Sequence, residues 1–434
     1  PLMESLSRYF DLKRHNTDIK TEVVAGLTTF LAMAYITVVN PAILSDAGMD
    51  FGAVFVATCI AAAFGSIAMG ILGNYPIAMA PGMGQNAFFA YGIVLGLGHT
   101  WQTALGAVFL SGIIFIVMSV LPIREWLINA IPKNLKLGIA AGIGFFLGFI
   151  ALKNAGIVID NPATLVSFGA LTDIGPLLCM VGFALIATLT ARKITGAVIL
   201  GMLVAAMLGW IFGGAEFGGV LSVPPSIAPV FLELDIAAAF DLSMITVILT
   251  LLLVDVFDTA GTMVGVANRA NLTDEHGKMP RLGSALLSDS GATVVGSLAG
   301  TSSTTSFIES AAGVEAGGRT GLTAVTTGVL FLLCLFFAPL AQSIPSYASA
   351  AALLFVACLM LRSLSDIDWD DYTESAPAVV CALAMPLSFS IADGIGLGFV
   401  TYVAIKLLSG RPGDCPIAVY VIAAVFAGKF AFLS

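Results

Sequence analysis

NYPIAMAPGMGQNAFFAYG, residues 74–92, sets Pro76, Pro81, Gly82 and Gly84 ahead of a short helix-compatible run. AGTSSTTSFIESAAGVEAGGRTG, residues 299–321, sets six Ser/Thr residues ahead of another. Each reads as an extended piece leading into a half-helix. Everything around them is apolar: 58% of the 434 residues are hydrophobic, 10% are charged, and mean hydropathy is +1.00. Soluble domains carry roughly 25% charged residues, so the solvent of this chain is a bilayer. Non-helical backbone at membrane depth survives where it is buried in protein or lines a cavity. A pair of interrupted segments at corresponding places in two halves is the sequence mark of a transporter's binding site.

Apolar windows near 20 residues, the length that crosses a bilayer as helix, predict fourteen segments. They are 22–44, 52–73, 84–97, 102–121, 134–152, 174–191 and 196–213, then 240–267, 281–299, 309–318, 320–341, 346–363, 374–390 and 391–408. An apolar tail, 415–432, either spans or lies flat. No alternating ten-residue pattern suggests a β-barrel. With a cytoplasmic start, every Lys and Arg except Lys153 and Lys429 falls in inner loops, among them Arg8, Arg124, Arg192, Arg269, Arg362 and Arg411. Asp46, Asp50, Asp160 and Asp173 fall in outer loops. This segregation follows the positive-inside rule and supports fourteen crossings with both ends inside.

The interrupted segments are third in each set of seven. Ile36 precedes Asn86 by 50 residues and Asp258 precedes Glu309 by 51. Seven is odd, so the halves insert in opposite orientation. The expected fold is all-α, a seven-plus-seven inverted repeat of fourteen segments, residues 1–230 and 231–434, with segments 3 and 10 built as strand plus half-helix. The formal charge of −9 argues against nucleic acid as a partner. The six cysteines lack CxxC spacing and read as small core residues, so no metal or cofactor is expected. The polar, basic opening is no signal peptide, and Pro1 is not a natural start.

Four carboxylates fall inside predicted spans: Asp255, Asp258, Asp289 and Glu309. A charge at that depth costs at least ~2.5 kcal/mol on insertion scales, so each needs a reason. Asp255 and Asp258 lie in VDVFDTAGTMVG, residues 254–265, where Gly261 is expected to admit a neighbouring backbone. Glu309 starts the second half-helix, where the dipole stabilises an anion, and Asn86 is placed equivalently in the first. Glu309 either takes a ligand or caps its own half-helix, and Asp255 either takes a ligand or pairs with a neighbouring helix. Asp289 reads as structural, and Phe88, Phe89, Phe257 and Phe307 as core, with one or two available to stack on a ligand. The set suits a planar heterocycle with ring and exocyclic N–H groups. Desolvation pushes a buried carboxylate towards protonation, which makes the acids candidate proton carriers.

These stretches, with AMAYITVVNPAIL (residues 32–44) and LKLGIAAGIGFFLGFIALKNAGI (residues 135–157), resemble the AzgA-like adenine/guanine/hypoxanthine permeases of the nucleobase–ascorbate transporter superfamily. The resemblance covers essentially the whole chain. It implies a core of helices 1–4 and 8–11, a gate of helices 5–7 and 12–14, and purine bound between helices 1, 3, 8 and 10. It also implies proton symport by elevator-like alternating access in the inner membrane, and a homodimer through the gate. By motif position the substrate residues are Asp258, Glu309 and Asn86, with Asp255, Phe307, Ile308, Gly84 and Ile36 beside them. Four other readings remain: a uracil or xanthine carrier on the same fold, an anion transporter, an intramembrane aspartyl protease, and a channel, which the inverted pair of broken helices disfavours. The missing GxGD motif counts against the protease and the paired carboxylates against an anion.

Overall fold

The computed structural model describes residues 2–121 and 123–433, without the side chain of Arg124; Pro1 lies outside them. A short amphipathic α1 (Leu2–Tyr9) leads to α2 (Ile19–Met33), which starts where the Asp18 carboxylate accepts from Thr21 N at 2.8 Å. After a break at Ala34 and Tyr35, α3 (Ile36–Asp46) completes the first span. α4 (Phe51–Ala68), capped by Asp50 on Ala53 N, ends in a π-helical turn, Met69–Gly73. Then come β1 (Met79–Pro81) and α5 (Met83–Ala87), which runs into a π-helical stretch, Phe88–Gly96. α6 (Trp101–Val120), α7 (Ile123–Ala130) and α8 (Lys133–Asn154) follow, then the hairpin β2 (Val158–Asn161) and β3 (Leu165–Phe168), then α9 (Ile174–Ala191) and α10 (Ala197–Phe212).

The second half begins with α11 (Ile236–Ala239), α12 (Ile245–Arg269) and α13 (Leu282–Ala299). β4 (Thr304–Ser306) leads into α14 (Ser310–Glu315). α15 (Gly321–Cys334), α16 (Ala338–Ser343), α17 (Ser346–Leu361), α18 (Tyr372–Ser388), α19 (Ile391–Leu408) and α20 (Ile417–Phe432) complete the chain. Among the described residues nine helices are long and apolar enough to cross a membrane, and α10 and α20 are shorter apolar helices. The predicted windows match these elements to within a few residues at most ends.

The interrupted segments meet. β1 and β4 pair antiparallel, with Met79 opposite Ser306, Ala80 opposite Thr305 and Pro81 opposite Thr304. The ladder continues through Gly82 N to Ser303 O (2.9 Å) and Phe307 N to Ala78 O (3.0 Å). Side chains close what the two strands leave open: Ser66 Oγ accepts from Met79 N at 2.9 Å, and Ser310 Oγ from Ala78 N at 2.9 Å. Extended backbone inside the bundle is thereby satisfied, which is the condition for its presence there. Both half-helices start from this ribbon.

Around it the helices sort by packing. α4 packs on α15 and α13, α6 on α13 and α12, and α15 on α2. α8 packs on α17 and α18, α18 on α19, and α9 on α10 and α17. The half-helix α14 lies so close to α2 that a Cβ on Gly313 would stand 2.1 Å from Thr29 Oγ1. The start of α2 is anchored by Glu22, fully buried and overlooked among the carboxylates read from sequence. It accepts from Arg319 N (2.9 Å), Thr320 Oγ1 (2.8 Å) and Thr323 Oγ1 (2.6 Å).

The apolar tail forms a helix. α20 runs back along α19: Phe426 and Phe430 lie over Gly396, and Lys429 pairs with Asp393 near the start of α19. A helix of 16 residues is about 24 Å long, enough to follow most of a span. Phe432 therefore lies at the end of α19 remote from Arg411.

Candidate functional site

A cavity of about 800 Å³ lies between α8, α12 and the end of α17, lined by Lys133, Lys136, Arg269 and Arg362. It therefore opens on the face that carries the basic loops. It shares Asp258, Ile308, Leu359 and Met360 with an inner chamber of about 240 Å³. The chamber is lined by Gly82, Met83 and Gly84 at the first half-helix start and by Phe307, Ile308 and Glu309 at the second. The first residues of a helix leave N–H groups without intrahelical partners, so two helix starts face one space flanked by two carboxylates.

Each carboxylate comes from the second half of the chain and is held by a neutral donor from the first. Tyr35 Oη donates to Glu309 Oε1 at 2.6 Å, and Gln85 Nε2 donates to Asp258 Oδ2 at 3.2 Å. Glu309 occupies the N-cap of α14, but its side chain makes no cap hydrogen bond. It reaches Tyr35 instead, which sets aside the self-capping reading. Phe307 and Tyr35 add aromatic surface, and Phe257 lines the wider cavity with Lys136 Nζ 5.9 Å from its ring centroid. Phe88 and Phe89 are core residues.

Of the residues read from sequence, Asp258, Glu309, Phe307, Ile308 and Gly84 meet at the chamber. Three do not. Asn86 is fully buried and turns its Nδ2 to Asn40 Oδ1 (3.0 Å), four positions past the N-cap Gly82 rather than at the start of the half-helix. Ile36 is fully buried in the core, and its neighbour Tyr35 lines the chamber. Asp255 is sealed against α13, where Thr293 Oγ1 donates to it at 3.2 Å. Asp289 likewise takes the Thr259 hydroxyl inside the protein. Adjacent helical residues point about 100° apart, so a shift of one position separates a chamber wall from a core contact. Gly261 is corrected too: nothing lies within 4 Å of a Cβ built there, and it lines the wide cavity rather than meeting a backbone. Tyr35 and Gln85 escape the sequence reading, although each is a hydrogen-bonding side chain beside a residue that the motifs mark.

On the opposite, acidic face side chains tie the helices together. Tyr91 Oη donates to Asp46 Oδ2 at 2.5 Å and receives Asn154 Nδ2 at 3.3 Å. The Tyr91 ring meets Phe389 edge-on at 6.0 Å, and Phe389 also packs against Phe146 and Phe149. Phe389 holds φ 56°, a conformation a bulky residue adopts only when its surroundings impose it.

A many-spanning helical bundle with two broken segments joined at its centre, and a cavity reaching them from one face, defines a membrane transport protein. The fold is that of the transmembrane domain of the cyanobacterium bicarbonate transporter BicA (TM-score 0.65, 14% identity, 86% of this chain and 96% of that one). SLC26A9 is similar at TM-score 0.65 and 12% identity, over 90% of this chain and 66% of that one. Residues 20–397 match the Xan_ur_permease family, described as "Permease family", and the chain belongs to it. Relatives include the adenine permease AdeP of Escherichia coli K12, 48% identical over 99% of this chain and 96% of that protein. The guanine/hypoxanthine permease PbuG of Bacillus subtilis 168 is 43% identical over 99% of this chain and 100% of that protein.

Proposed function

We propose that this permease carries purine nucleobases across the cell's inner membrane, coupled to protons, by alternating access. The observation that carries the reading is the chamber itself, with two carboxylates, two half-helix starts and aromatic walls around one space. A purine offers ring and exocyclic N–H groups to the carboxylates, acceptor atoms to the helix starts and a flat face to Phe307 and Tyr35. An anion would meet Asp258 and Glu309 as like charges, which disfavours that reading despite the fold shared with bicarbonate and SLC26-type proteins. Similarity to adenine and guanine/hypoxanthine permeases supports purine over uracil.

The reading extends to architecture. Residues 1–230 and 231–434 form inverted repeats of seven segments each. The packing described above supports a core of segments 1–4 and 8–11 and a gate of 5–7 and 12–14. The cavity on the basic face corresponds to an inward-facing state. The exposed apolar flanks are covered by membrane lipid, and two copies associate through the gate.

In proteoliposomes, radiolabelled adenine, guanine or hypoxanthine is expected to enter in competition with unlabelled purines and not with uracil. An inward proton gradient should drive accumulation without sodium, and a protonophore should abolish it. Accumulation that follows the sodium gradient at constant pH and survives the protonophore would refute proton coupling; uptake of uracil in place of purines would refute the substrate.

Alternating access requires the acidic face to open. Tyr91→Phe removes the hydroxyl that joins Asp46 to Asn154, a charge-assisted bond of ~1.5–3 kcal/mol. The outward-open population is then expected to rise roughly tenfold or more. Ser349, which lines a small pocket with Asp46 and Asn154, is a reporter position: Ser349→Cys should react faster with a membrane-impermeant thiol reagent in the Tyr91→Phe protein. Equal rates in the two backgrounds would count against a latch.

A further inference from the structure

We infer that Gln85 is a positioning residue for substrate recognition, holding Asp258 by one oxygen so that the rest of the carboxylate faces the chamber in a fixed orientation. The inference rests on the reading that Asp258 accepts a hydrogen bond from the purine. Gln85 is 1% exposed and is not itself a wall of the chamber. Its Nε2 lies 3.2 Å from Asp258 Oδ2, the hydrogen bond that Asp258 makes to protein among the described residues. Charge dictates the orientation of the amide: only the NH₂ end can face a carboxylate acceptor.

The other end of the amide shows that the placement is built. Gln85 Oε1 is buried without a hydrogen-bond partner. It lies over the bare Cα of Gly82: a Cβ at position 82 would stand 2.0 Å from Oε1 and 2.8 Å from Thr305 Cγ2. Gly82 is also a wall of the inner chamber. Glycine at 82 therefore makes the room in which the amide lies, between the chamber wall and the ribbon strand β4. Leaving a buried carbonyl oxygen unsatisfied costs free energy, and the structure accepts that cost at the residue that orients Asp258.

The chemistry explains why a neutral amide fits this place. Lysine or arginine would hold Asp258 as firmly but would cancel the charge that a purine N–H is attracted to. A glutamine restrains the carboxylate and leaves its negative charge for the ligand. Tyr35 does the same for Glu309. The bond also spans the two halves of the chain, from α5 to α12, so the geometry of the pocket depends on the ribbon keeping the half-helix in place.

The test is a set of affinities for adenine, guanine and hypoxanthine, measured on purified protein in detergent. Gln85→Met keeps length and apolar bulk without the amide and is expected to weaken purine binding roughly tenfold. Gln85→Glu opposes one carboxylate to another and should weaken it further. The deciding measurement is the same substitution on an Asp258→Ala background, where Gln85 has nothing to position. There Gln85→Met should change the remaining affinity by less than about twofold, since partners in one network are non-additive. A residue that only fills space would lower affinity by the same factor in both backgrounds, and that result would overturn the inference. So would wild-type affinity in Gln85→Met. If Gln85→Met does not fold, Gln85→Leu, which also removes the amide without touching the chamber wall, stands in its place with the same two expectations. Absence of purine binding in the wild-type protein would instead remove the substrate reading, and this inference with it.

Discussion

Glu309→Gln and Asp258→Asn are each expected to weaken purine binding tenfold to a hundredfold while the protein still reaches the membrane. Both substitutions keep shape and keep the local hydrogen bond. In Glu309→Gln the amide oxygen can still accept from Tyr35, whose hydroxyl is 2.6 Å from Glu309 Oε1 in the unsubstituted protein. In Asp258→Asn the amide can still pair with Gln85, whose Nε2 is 3.2 Å from Asp258 Oδ2. What disappears is the charge offered to the ligand's N–H groups. A hydrogen bond to a charged group contributes ~1.5–3 kcal/mol, which converts to the stated range. Equilibrium binding on purified protein, with size-exclusion profiles to show folding, is the measurement. Wild-type affinity in both variants would remove the two acids from the site. Loss in one alone would leave the other as a proton carrier or a structural group, to be separated by the pH dependence of transport.

Lys406→Met should cost the protein about 3–5 kcal/mol of stability, the usual penalty for removing one partner of a buried ion pair. The Lys406 side chain is 0% exposed, with Nζ 2.8 Å from Glu374 Oε1 and 2.8 Å from Thr373 Oγ1. Glu374 also takes the Tyr402 hydroxyl at 2.9 Å and Asn134 Nδ2 at 3.3 Å. The pair thus ties α18, α19 and the start of α8 together at the basic face. Without the ammonium, Glu374 keeps only neutral donors in a poorly hydrated place. The thermal midpoint in detergent should fall clearly for Lys406→Met and recover in part when Glu374→Leu is added, because the stranded charge is then gone. An unchanged midpoint in the single variant would show that water reaches the pair and that it contributes little.

Motif position locates the chamber but not every side chain in it. Asp258 and Glu309 are legible because a carboxylate at bilayer depth demands a reason, whatever the details of packing. Phe307, Ile308 and Gly84 follow because the half-helix starts are legible from Pro, Gly and Ser/Thr runs. Ile36 is one position from Tyr35, and Asn86 one position from Gln85, which holds Asp258. Tyr35, at the junction of α2 and α3, lines the chamber while Ile36 packs in the core. For Asn86 the choice is between two adjacent amides: Asn86 satisfies Asn40 and Gln85 satisfies Asp258. Asp255 and Asp258 are three apart on one helix, and only packing on α13 shows which of them is spent inside the protein. Glu22 is invisible because a carboxylate in a first helical turn reads as an ordinary response to the helix dipole.

The sequence by itself determined the solvent, the apolar helices and the place of the candidate site. These depend on hydropathy over some twenty residues and on backbone breakers, which act locally and do not wait for a partner. It did not determine which face of each helix lines the chamber, nor that β1 and β4 pair in one register, nor that α20 folds back on α19. Those choices belong to tertiary structure because they are contacts between residues tens to hundreds of positions apart: Tyr35 with Glu309, Gln85 with Asp258, Ala80 with Thr305. A buried polar group must find a partner or remain at a cost, and in a chain this apolar the few available partners decide how the helices turn.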